Sequence, residues 1–541
     1  MQQLTPKATN ASQATSDSSE PVAQKSDGRE GLPSRKGAIK SFAIINTRTV
    51  VGVDALPVKV EVHLANGLPA FSTVGLPETT VKESKDRVRG AILNSGFEFP
   101  AKRITVNLAP ADLPKTGGRF DLPIAIGILV ASGQIQVDSL NDYEMVGELA
   151  LDGALRSVSG VLPTSLASAA SNRELILPSG NASEASLVNG AVNLKADHLL
   201  SVCRHLHGQE KILPCVNDLI FSNDFDNDCD VSDVKGQPYA VRAMEIAASG
   251  GHSLIFMGPP GVGKSMLASR LPGILPDLSI DSALEVAAIQ SVSQGKFDIQ
   301  TWRKRPFRSP HHSASAVALV GGGTHPKPGE ITLAHKGVLF LDELTEFSRA
   351  ALEQLREPIE TGVVNIARAN QSIQYPCQFM LVTACNPCKC GYFGDGSDRC
   401  RCSQASIEGY RNKLSGPMLD RIDMHIQLAR VSIRELQASS AHEEKSVNVR
   451  QRVTDVRALQ FNRQGKLNSQ YSGNDIQLYC GLDQADLAFL ESACEKLNMS
   501  ARAYHRILRI ARTIADMGNR KEIVRGDLAE ALRLRGLDRR G

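Results

Sequence analysis

Residues 258–265 combine glycines, a lysine and a serine in the order G-x-x-x-x-G-K-S, a spacing that suits phosphate binding. Glycines allow backbone N–H groups to close around phosphate oxygens, and a helix that starts there adds the positive end of its dipole. Four apolar residues, Leu254–Met257, precede the loop, and helix-forming residues follow it from Met266. This succession of strand, loop and helix is what a P-loop requires, and it argues against a chance glycine turn.

The loop predicts a site for ATP and Mg²⁺ in which each residue has its own role. The residues expected to contact the nucleotide are Gly258, Pro259, Pro260, Gly261, Val262, Gly263, Lys264 and Ser265. The ammonium group of Lys264 would reach the β- and γ-phosphates, and the hydroxyl group of Ser265 would bind Mg²⁺.

Two acidic residues follow a second apolar run and complete the hydrolytic chemistry. Val338–Leu341 predicts a buried strand that delivers Asp342 and Glu343 to its carboxyl end, where ligands of α/β proteins bind. Asp342 would hold Mg²⁺, and Glu343 would orient or deprotonate the attacking water. The alternative is a capped helix start before Thr345, which the P-loop about eighty residues upstream disfavours.

Two further polar residues are candidates for contact with the γ-phosphate. Asn386 follows the apolar run 378–384 and suits the sensor-1 role of AAA+ ATPases, in which a polar side chain holds the attacking water or the γ-phosphate. Arg421 is the candidate arginine finger, a cation offered to the nucleotide of a neighbouring subunit. For Arg421 the alternative is a surface ion pair with Asp420 or Asp423.

Four cysteines in paired C-x-C spacing predict a metal site. Cys388, Cys390, Cys400 and Cys402 supply four soft ligands, which suits a closed, structural Zn²⁺ site, while Cys385 is a spare thiol that would pack as a small apolar group. The other six of the eleven cysteines are scattered singly, as expected in a reducing cytoplasm. No apolar run approaches the ~20 residues of a membrane span, so no membrane partner is predicted.

The chain has 541 residues and a net charge of +3, and its sequence predicts a multidomain α/β protein. The predicted parts are a disordered extension at 1–37, a compact α+β domain at 38–210, a linker at 211–232, a nucleotide-binding core at 233–430 with the cysteine insert at about 385–403, and an all-α lid at 431–541. In the lid, Ser500 would cap a helix whose Arg502 is the candidate sensor-2 residue, with Arg506 as the second choice.

A basic stretch interrupts the core and leaves two interpretations open. Arg303, Arg305 and Arg308 lie close to Trp302 and Phe307, and two histidines follow at positions 311 and 312. Such a patch can bind phosphates and stack on a base. It can equally be an ordinary solvated loop whose histidines serve the structure.

The N-terminal α+β domain resembles the Lon-protease-like domain. The likeness rests on the segments 107–110 and 147–153, which read N-L-A-P and G-E-L-A-L-D-G. In that family a serine lies near the segment corresponding to 117–122 and a lysine near the one corresponding to 159–162, but here these segments read G-G-R-F-D-L and S-G-V-L. Because the Ser–Lys dyad is missing, the resemblance implies a non-proteolytic domain for binding or assembly, in which Arg119 and Asp121 are structural or contact residues.

The whole chain from about residue 39 to 537 resembles the magnesium-chelatase-like AAA+ family that includes the bacterial competence protein ComM, also called YifB. The motifs that carry the likeness are R-P-F-R-x-P-H-H at 305–312, F-L-D-E-L at 340–344, G-P-x-L-D-R-I-D at 416–423 and S-A-R-A-Y-H-R at 500–506. The resemblance implies an ATP-driven homohexameric motor that binds single- and double-stranded DNA at junctions. It further implies branch migration during natural transformation, with recombination proteins as possible partners. The alternatives are an ATP-dependent remodeller and a chelatase-like ATPase acting on a protein partner.

Overall fold

A computed structural model describes residues 41–75, 81, 83–137, 139–216, 229–294, 298–323, 326–368, 371–414, 416–432 and 444–536. The predicted extension at 1–37 lies outside the described residues, as do 217–228 of the predicted linker and 433–443 and 537–541 of the predicted lid. None of the helices in the described ranges combines the length and apolarity that a membrane span needs.

The N-terminal part of the chain is an α+β unit built on a seven-stranded mixed sheet. The strands of this unit are β1 Phe42–Val51, β2 Asp54–Ala65, β3 Ala70–Val74, β4 Arg103–Ala109, β5 Tyr143–Met145, β6 Glu148–Leu149, β7 Leu155–Arg156, β8 Glu174–Pro178 and β9 Asn193–Ala196. Its helices are α1 Ser84–Asn94, α2 Asp121–Ala131, α3 Val161–Ala170, α4 Ala182–Ala185 and α5 Leu199–Leu206. The strand order in the sheet is β3-β4-β2-β1-β5-β8-β9, while β6 and β7 form a separate hairpin.

The patterns of burial along β2 and α2 follow from their apolar residues. Burial alternates along β2, because one face of the strand packs on the core and the other faces outward. Helix α2 is apolar on nearly every side and is almost wholly buried. A Cβ atom at Gly127 would lie 2.6 Å from the side chain of Val62, so only glycine permits this close approach of helix and sheet.

The nucleotide core contains a five-stranded parallel sheet in the order β11-β14-β17-β10-β18. The strands of this region are β10 Leu254–Met257, β11 Phe307–Arg308, β12 Gly321–Gly322, β13 Lys327–Pro328, β14 Val338–Leu341, β15 Val363–Arg368, β16 Gln371–Pro376, β17 Met380–Cys385 and β18 Met424–Gln427. The helices are α6 Pro238–Gly250, α7 Lys264–Ile274, α8 Ile280–Gln294, α9 Ala316–Val320, α10 Glu330–Leu333, α11 Arg349–Gln354, α12 Arg356–Thr361, α13 Gln404–Arg411 and α14 Gly416–Leu419. Because β17 lies between β10 and β14, the residues that follow these three buried strands meet at one edge of the sheet.

The C-terminal part is helical, as predicted. Its helices are α15 Ser446–Gln464, α16 Gly473–Tyr479, α17 Gln484–Lys496, α18 Ala501–Met517 and α19 Arg525–Arg533. The hydroxyl group of Ser500 accepts a hydrogen bond from the backbone N–H of Ala503, which confirms the predicted cap of α18. One face of α18 is buried, through Ile507, Ile510, Ala511 and Ile514.

The N-terminal unit packs directly against the nucleotide core. Leu162 and Val188 share an apolar cluster with Ala287 and Ala288 of α8, and Trp302 packs against the same cluster. The backbone N–H of Gly160 donates to the carbonyl oxygen of Ser291 at 3.1 Å. These contacts join the N-terminal unit to helix α8 of the predicted nucleotide-binding core.

Candidate nucleotide-binding site

The predicted phosphate loop leads into a helix that begins at its lysine. Gly261 and Gly263 have φ angles of +78° and +88°, which side chains rarely adopt, so the loop depends on glycine at these points. The ammonium group of Lys264 donates to the carbonyl oxygens of Gly258 and Pro259 at 2.8 and 2.9 Å, and to Oδ1 of Asn386 at 3.0 Å. Burial lowers the pKa of Lys264, while neighbouring acidic groups oppose the shift. The loop lysine and the predicted sensor-1 residue therefore lie side by side.

The two acidic residues meet the same loop from the neighbouring strand. The hydroxyl group of Ser265 donates to Oδ2 of Asp342 at 2.6 Å. The backbone N–H of Glu343 donates to Oδ1 of Asp342 at 2.9 Å, so both oxygens of this carboxylate accept hydrogen bonds. Glu343 has a φ angle of +51° and a side chain that is 52% exposed, so its carboxylate reaches open space where water has access. The geometry thus brings together Ser265 and Asp342, the predicted Mg²⁺ ligands, and the exposed carboxylate of Glu343.

A histidine that sequence reasoning did not assign to this site lies beside the exposed acid. Nδ1 of His312 is 3.4 Å from Oε2 of Glu343, and the centroids of the His312 and His311 rings are 4.1 Å apart with the two planes tilted by 33°. Nδ1 of His311 is held in turn at 2.7 Å from the hydroxyl group of Ser313. The sequence feature that could have indicated this placement is the position of both histidines shortly after β11, the strand that pairs with β14.

The basic stretch before these histidines is largely engaged in internal contacts. Nε of Arg303 donates to the carbonyl oxygen of Leu278 at 3.0 Å. Arg305 donates to the carbonyl oxygens of two other backbone segments, and burial lowers its pKa to about 10. Arg308 forms two hydrogen bonds with the carboxylate of Glu330, at 2.7 and 2.9 Å. Of the two interpretations left open, these contacts favour the structural one over a phosphate-binding patch.

The candidate arginine finger is paired within its own chain. Arg421 donates to the carbonyl oxygen of Pro417 at 2.9 Å and lies 3.0 Å from Oε1 of Glu360, with a side chain that is 12% exposed. The predicted alternative had named Asp420 or Asp423 as the partner, and the acid found there is Glu360. A role toward a neighbouring nucleotide, which requires Arg421 to exchange this partner, stays a prediction.

Arg506, the second choice for the sensor-2 role, connects the lid to the start of the strand before the P-loop through Asp423. Arg506 pairs with Asp423, and Oδ2 of Asp423 accepts hydrogen bonds from the backbone N–H and the hydroxyl group of Ser253 at 2.9 and 3.1 Å. Burial alone would raise the pKa of Asp423, but the charge of Arg506, the imidazole of His252 at 3.7 Å and the hydrogen bonds from Ser253 hold it below its ordinary value. Arg502, the first choice, is exposed and has no ion pair with any residue that the structure describes.

The four predicted metal-ligating cysteines converge, and their loop rests on the P-loop. Their Sγ atoms all lie within 4.8 Å of one another, with individual distances of 3.3, 3.6 and 3.9 Å. Tetrahedral Zn²⁺ with ~2.3 Å bonds to sulfur separates its ligands by ~3.8 Å, so the cluster fits the metal. Gly391 between the cysteine pairs approaches Pro260 so closely that a Cβ atom would lie 2.7 Å from its ring. Cys385 is buried in an apolar cluster, as predicted, and burial raises the pKa of its thiol to about 12.

Comparison with known proteins bears on all three parts of the chain. The profile "Magnesium chelatase, subunit ChlI" matches residues 230–436, "Subunit ChlI of Mg-chelatase" matches 60–181, and "Magnesium chelatase, subunit ChlI C-terminal" matches 443–535. Competence protein ComM of Haemophilus influenzae is 50% identical over 503 residues, which cover 92% of this chain and 98% of that protein. Protein YifB of Escherichia coli is 49% identical over 500 residues, with the same shares covered.

The chain belongs to the magnesium-chelatase-like family of ComM and YifB. The likeness to a magnesium chelatase itself is weaker, since the 67 kDa subunit of Chlorobaculum parvum is 26% identical over 160 residues, 29% of this chain and 23% of that subunit. Membership in the ComM/YifB family implies a nucleotide and Mg²⁺, and the residues present fit both. The glycine loop offers backbone donors to phosphate oxygens, and Ser265 and Asp342 place two oxygen ligands of the kind that Mg²⁺ prefers 2.6 Å apart.

Proposed function

We propose that this ComM/YifB-family chain is an ATPase that moves DNA strands and promotes branch migration of recombining DNA during natural transformation. The observation that carries the ATPase part is the meeting of Ser265 with Asp342, and of Lys264 with Asn386, at one edge of the parallel sheet. Support for the competence part comes from the relative named competence protein ComM, which this chain matches over nearly its full length.

In this proposal the chain's own residues divide the work of hydrolysis. Mg²⁺, when bound, neutralises charge on the phosphates. Lys264 would exchange the carbonyl oxygens it now contacts for phosphate oxygens, and Asn386 beside it would hold the γ-phosphate or the attacking water. Glu343 would orient that water, and His312 would limit the positions that the Glu343 carboxylate can adopt.

The proposed active form is a homohexamer in which ATP lies between subunits. Arg421 would leave Glu360 and reach the γ-phosphate held by the adjacent copy. Arg502 is exposed on α18, and Arg506 anchors that helix to Asp423, so movement of the lid would move both arginines together. Hydrolysis would then change the angle between subunits and pull a DNA strand through the ring.

The two remaining domains would support this motor without chemistry of their own. The N-terminal unit is proposed to be a Lon-like domain without protease activity, and Arg119 occupies the segment in which the family carries its serine. The four cysteines would hold structural Zn²⁺ and brace the P-loop through Gly391 and Pro260. The second candidate function, remodelling of a protein partner in the manner of a metal chelatase, is favoured by the three chelatase profiles.

The experiment that separates these functions is an ATPase assay with and without DNA. The motor proposal expects phosphate release to rise when single-stranded DNA is added, and expects Lys264→Ala to abolish it. Lys195→Ala, an exposed lysine of the N-terminal unit, is the matched control and should behave as wild type. Turnover that DNA leaves unchanged, but that a protein partner stimulates, would favour the remodelling function.

A further inference from the structure

A cavity of about 300 Å³ lies where the N-terminal unit meets α8 of the nucleotide core. Its walls come chiefly from the two loops Thr116–Arg119 and Ser157–Gly160, with Val292 of α8 on the core side. We call it the junction cavity. Such a volume accommodates a small ligand and is at the lower end of the range for ligand pockets.

Arg119 brings a buried positive charge to the wall of the junction cavity. Its exposed fraction is only 6%, and its Nη2 donates a hydrogen bond to a neutral partner, the hydroxyl oxygen of Thr164, at 3.0 Å. Nε of Arg119 is buried without a hydrogen-bond partner, and no carboxylate in the described part of the chain lies within ion-pair distance of its guanidinium. A buried charge without a counter-charge is costly, and burial lowers the pKa of Arg119 to about 10.

The acidic residues near Arg119 do not neutralise it. Glu148 lines the cavity, but its carboxylate lies 3.8 Å from the exposed Arg156. Glu184 is buried and lowers the electrostatic cost at Arg119 from a distance, while its own Oε1 accepts a hydrogen bond from Asn181 at 2.7 Å. Arg119 therefore lines the cavity as a buried cation whose Nε has no hydrogen-bond partner and which has no carboxylate at ion-pair distance among the described residues.

The opposite loop adds further donors that suit an anion. Helix α3 begins at Val161, directly after Gly160 with its φ angle of +70°, and no side chain caps this end. In the first turn of this ten-residue helix Val161 and Leu162 carry N–H groups, whereas Pro163 has none; these two groups and the positive end of the dipole attract anions. Ser157 and Ser159 on the same loop are exposed and add two hydroxyl groups.

We propose that the junction cavity binds a small oxyanion, a carboxylate or phosphate group, through Arg119, the N-terminus of α3 and the hydroxyl groups of Ser157 and Ser159. The bound group would supply a counter-charge at ion-pair distance, whereas Glu184 acts on Arg119 only from farther away. Because Val292 on the wall and Ser291 beside it belong to α8, the ligand would also stabilise the contact between the N-terminal unit and the nucleotide core. The site is separate from the P-loop and does not depend on the proposed DNA motor.

The test uses the full-length chain with Lys264→Ala, so that the P-loop does not compete for the anion. Inorganic phosphate and acetate are titrated separately at constant ionic strength. Trp302 is the single tryptophan of the chain and packs in the cluster that joins α8 to the N-terminal unit, so its fluorescence reports on this junction. We expect a saturable fluorescence change and a rise in unfolding temperature, and the anion that acts at lower concentration identifies the preferred group.

Two pairs of variants decide whether the junction cavity is the binding site. Arg119→Met should weaken the response at least about tenfold, whereas Arg204→Met, at an arginine that is half exposed on α5, should not. Should Arg119→Met fail to fold, Ser159→Glu places a repelling charge at an exposed position of the same wall, and Ser159→Gln is its neutral control. The absence of a saturable response to either anion would overturn the proposal. So would an affinity for the anion that is the same in Arg119→Met and in Ser159→Glu as in the parent chain.

Discussion

Replacement of Asp423 by asparagine should loosen the lid while it leaves the shape of the site almost unchanged. Asp423 joins Arg506 of α18 to Ser253, the residue directly before the P-loop strand, and the two side chains of the ion pair are 8% and 14% exposed. Asparagine retains an oxygen that can accept from Ser253 but carries no charge. The substitution therefore leaves Arg506 as a nearly buried cation without its partner.

The expected loss follows from this burial. Breaking a buried ion pair by removal of one partner costs about 3–5 kcal/mol. Because the hydrogen bonds from Ser253 can persist in Asp423→Asn, the lower figure of about 3 kcal/mol applies. That free energy corresponds to a change of about 100-fold in the equilibrium between docked and undocked lid.

Amide hydrogen exchange across residues 501–517 measures this equilibrium locally, without the assumption that so large a chain unfolds in one step. Exchange in α18 should accelerate about 100-fold in Asp423→Asn. Asp420→Asn, in the same segment and without an ion pair among the described residues, should leave it unchanged. Adding Arg506→Met to Asp423→Asn should restore part of the protection, because no buried charge then lacks a partner. Equal exchange rates in Asp423→Asn and Asp420→Asn would refute the assignment of this pair as the attachment of the lid.

Three further outcomes are expected. Arg421→Ala should lower phosphate release by on the order of 10³-fold with ATP affinity nearly unchanged, and an equal loss of affinity would contradict a finger that acts on a neighbouring subunit. Cys400→Ser should remove bound zinc, measured by atomic absorption, and weaken ATP binding because Gly391 supports Pro260; Cys494→Ser is the control, and full ATP affinity without zinc would argue against the brace. Burial raises the pKa of Asp121 to about 6 in the folded state, from about 3.9 in the unfolded state, so the folded state holds the proton to a higher pH. The free energy of unfolding should therefore fall by roughly 3 kcal/mol as the pH rises from about 4 to about 6, and then level off. Asp121→Asn should remove this decline from the pH profile of the unfolding temperature. Parallel profiles for the wild-type chain and Asp121→Asn would contradict the assignment of the decline to Asp121.

The features that the sequence predicts well are those encoded within a few neighbouring residues. The P-loop and the pair Asp342 and Glu343 each follow a short apolar strand, so both the element and its functional end can be read from one segment. The parallel order of the strands then brings Asn386 beside Lys264, as expected for residues at the carboxyl ends of adjacent strands.

What the sequence could not supply are contacts between distant segments. His312 meets Glu343, Gly391 meets Pro260, and Asp423 meets Arg506, in each case because the sheet or the lid brings together residues that no local pattern connects. The composition of the basic stretch alone is compatible with DNA binding. In the structure, however, Arg305 and Arg308 bind to partners within the chain. Likewise, no local pattern in segments 117–122 and 159–162 indicates that residues of both line one cavity.

The most direct test of the central claim is strand exchange on a synthetic three- or four-way DNA junction. The account predicts that the wild-type chain moves the branch point with ATP, and that it binds the junction without exchange when a non-hydrolysable analogue replaces ATP. Glu343→Gln should likewise bind without exchange, whereas Glu346→Gln, three residues further on, should be active. Exchange that proceeds equally without hydrolysis, or hydrolysis that never moves the branch point, would contradict the account.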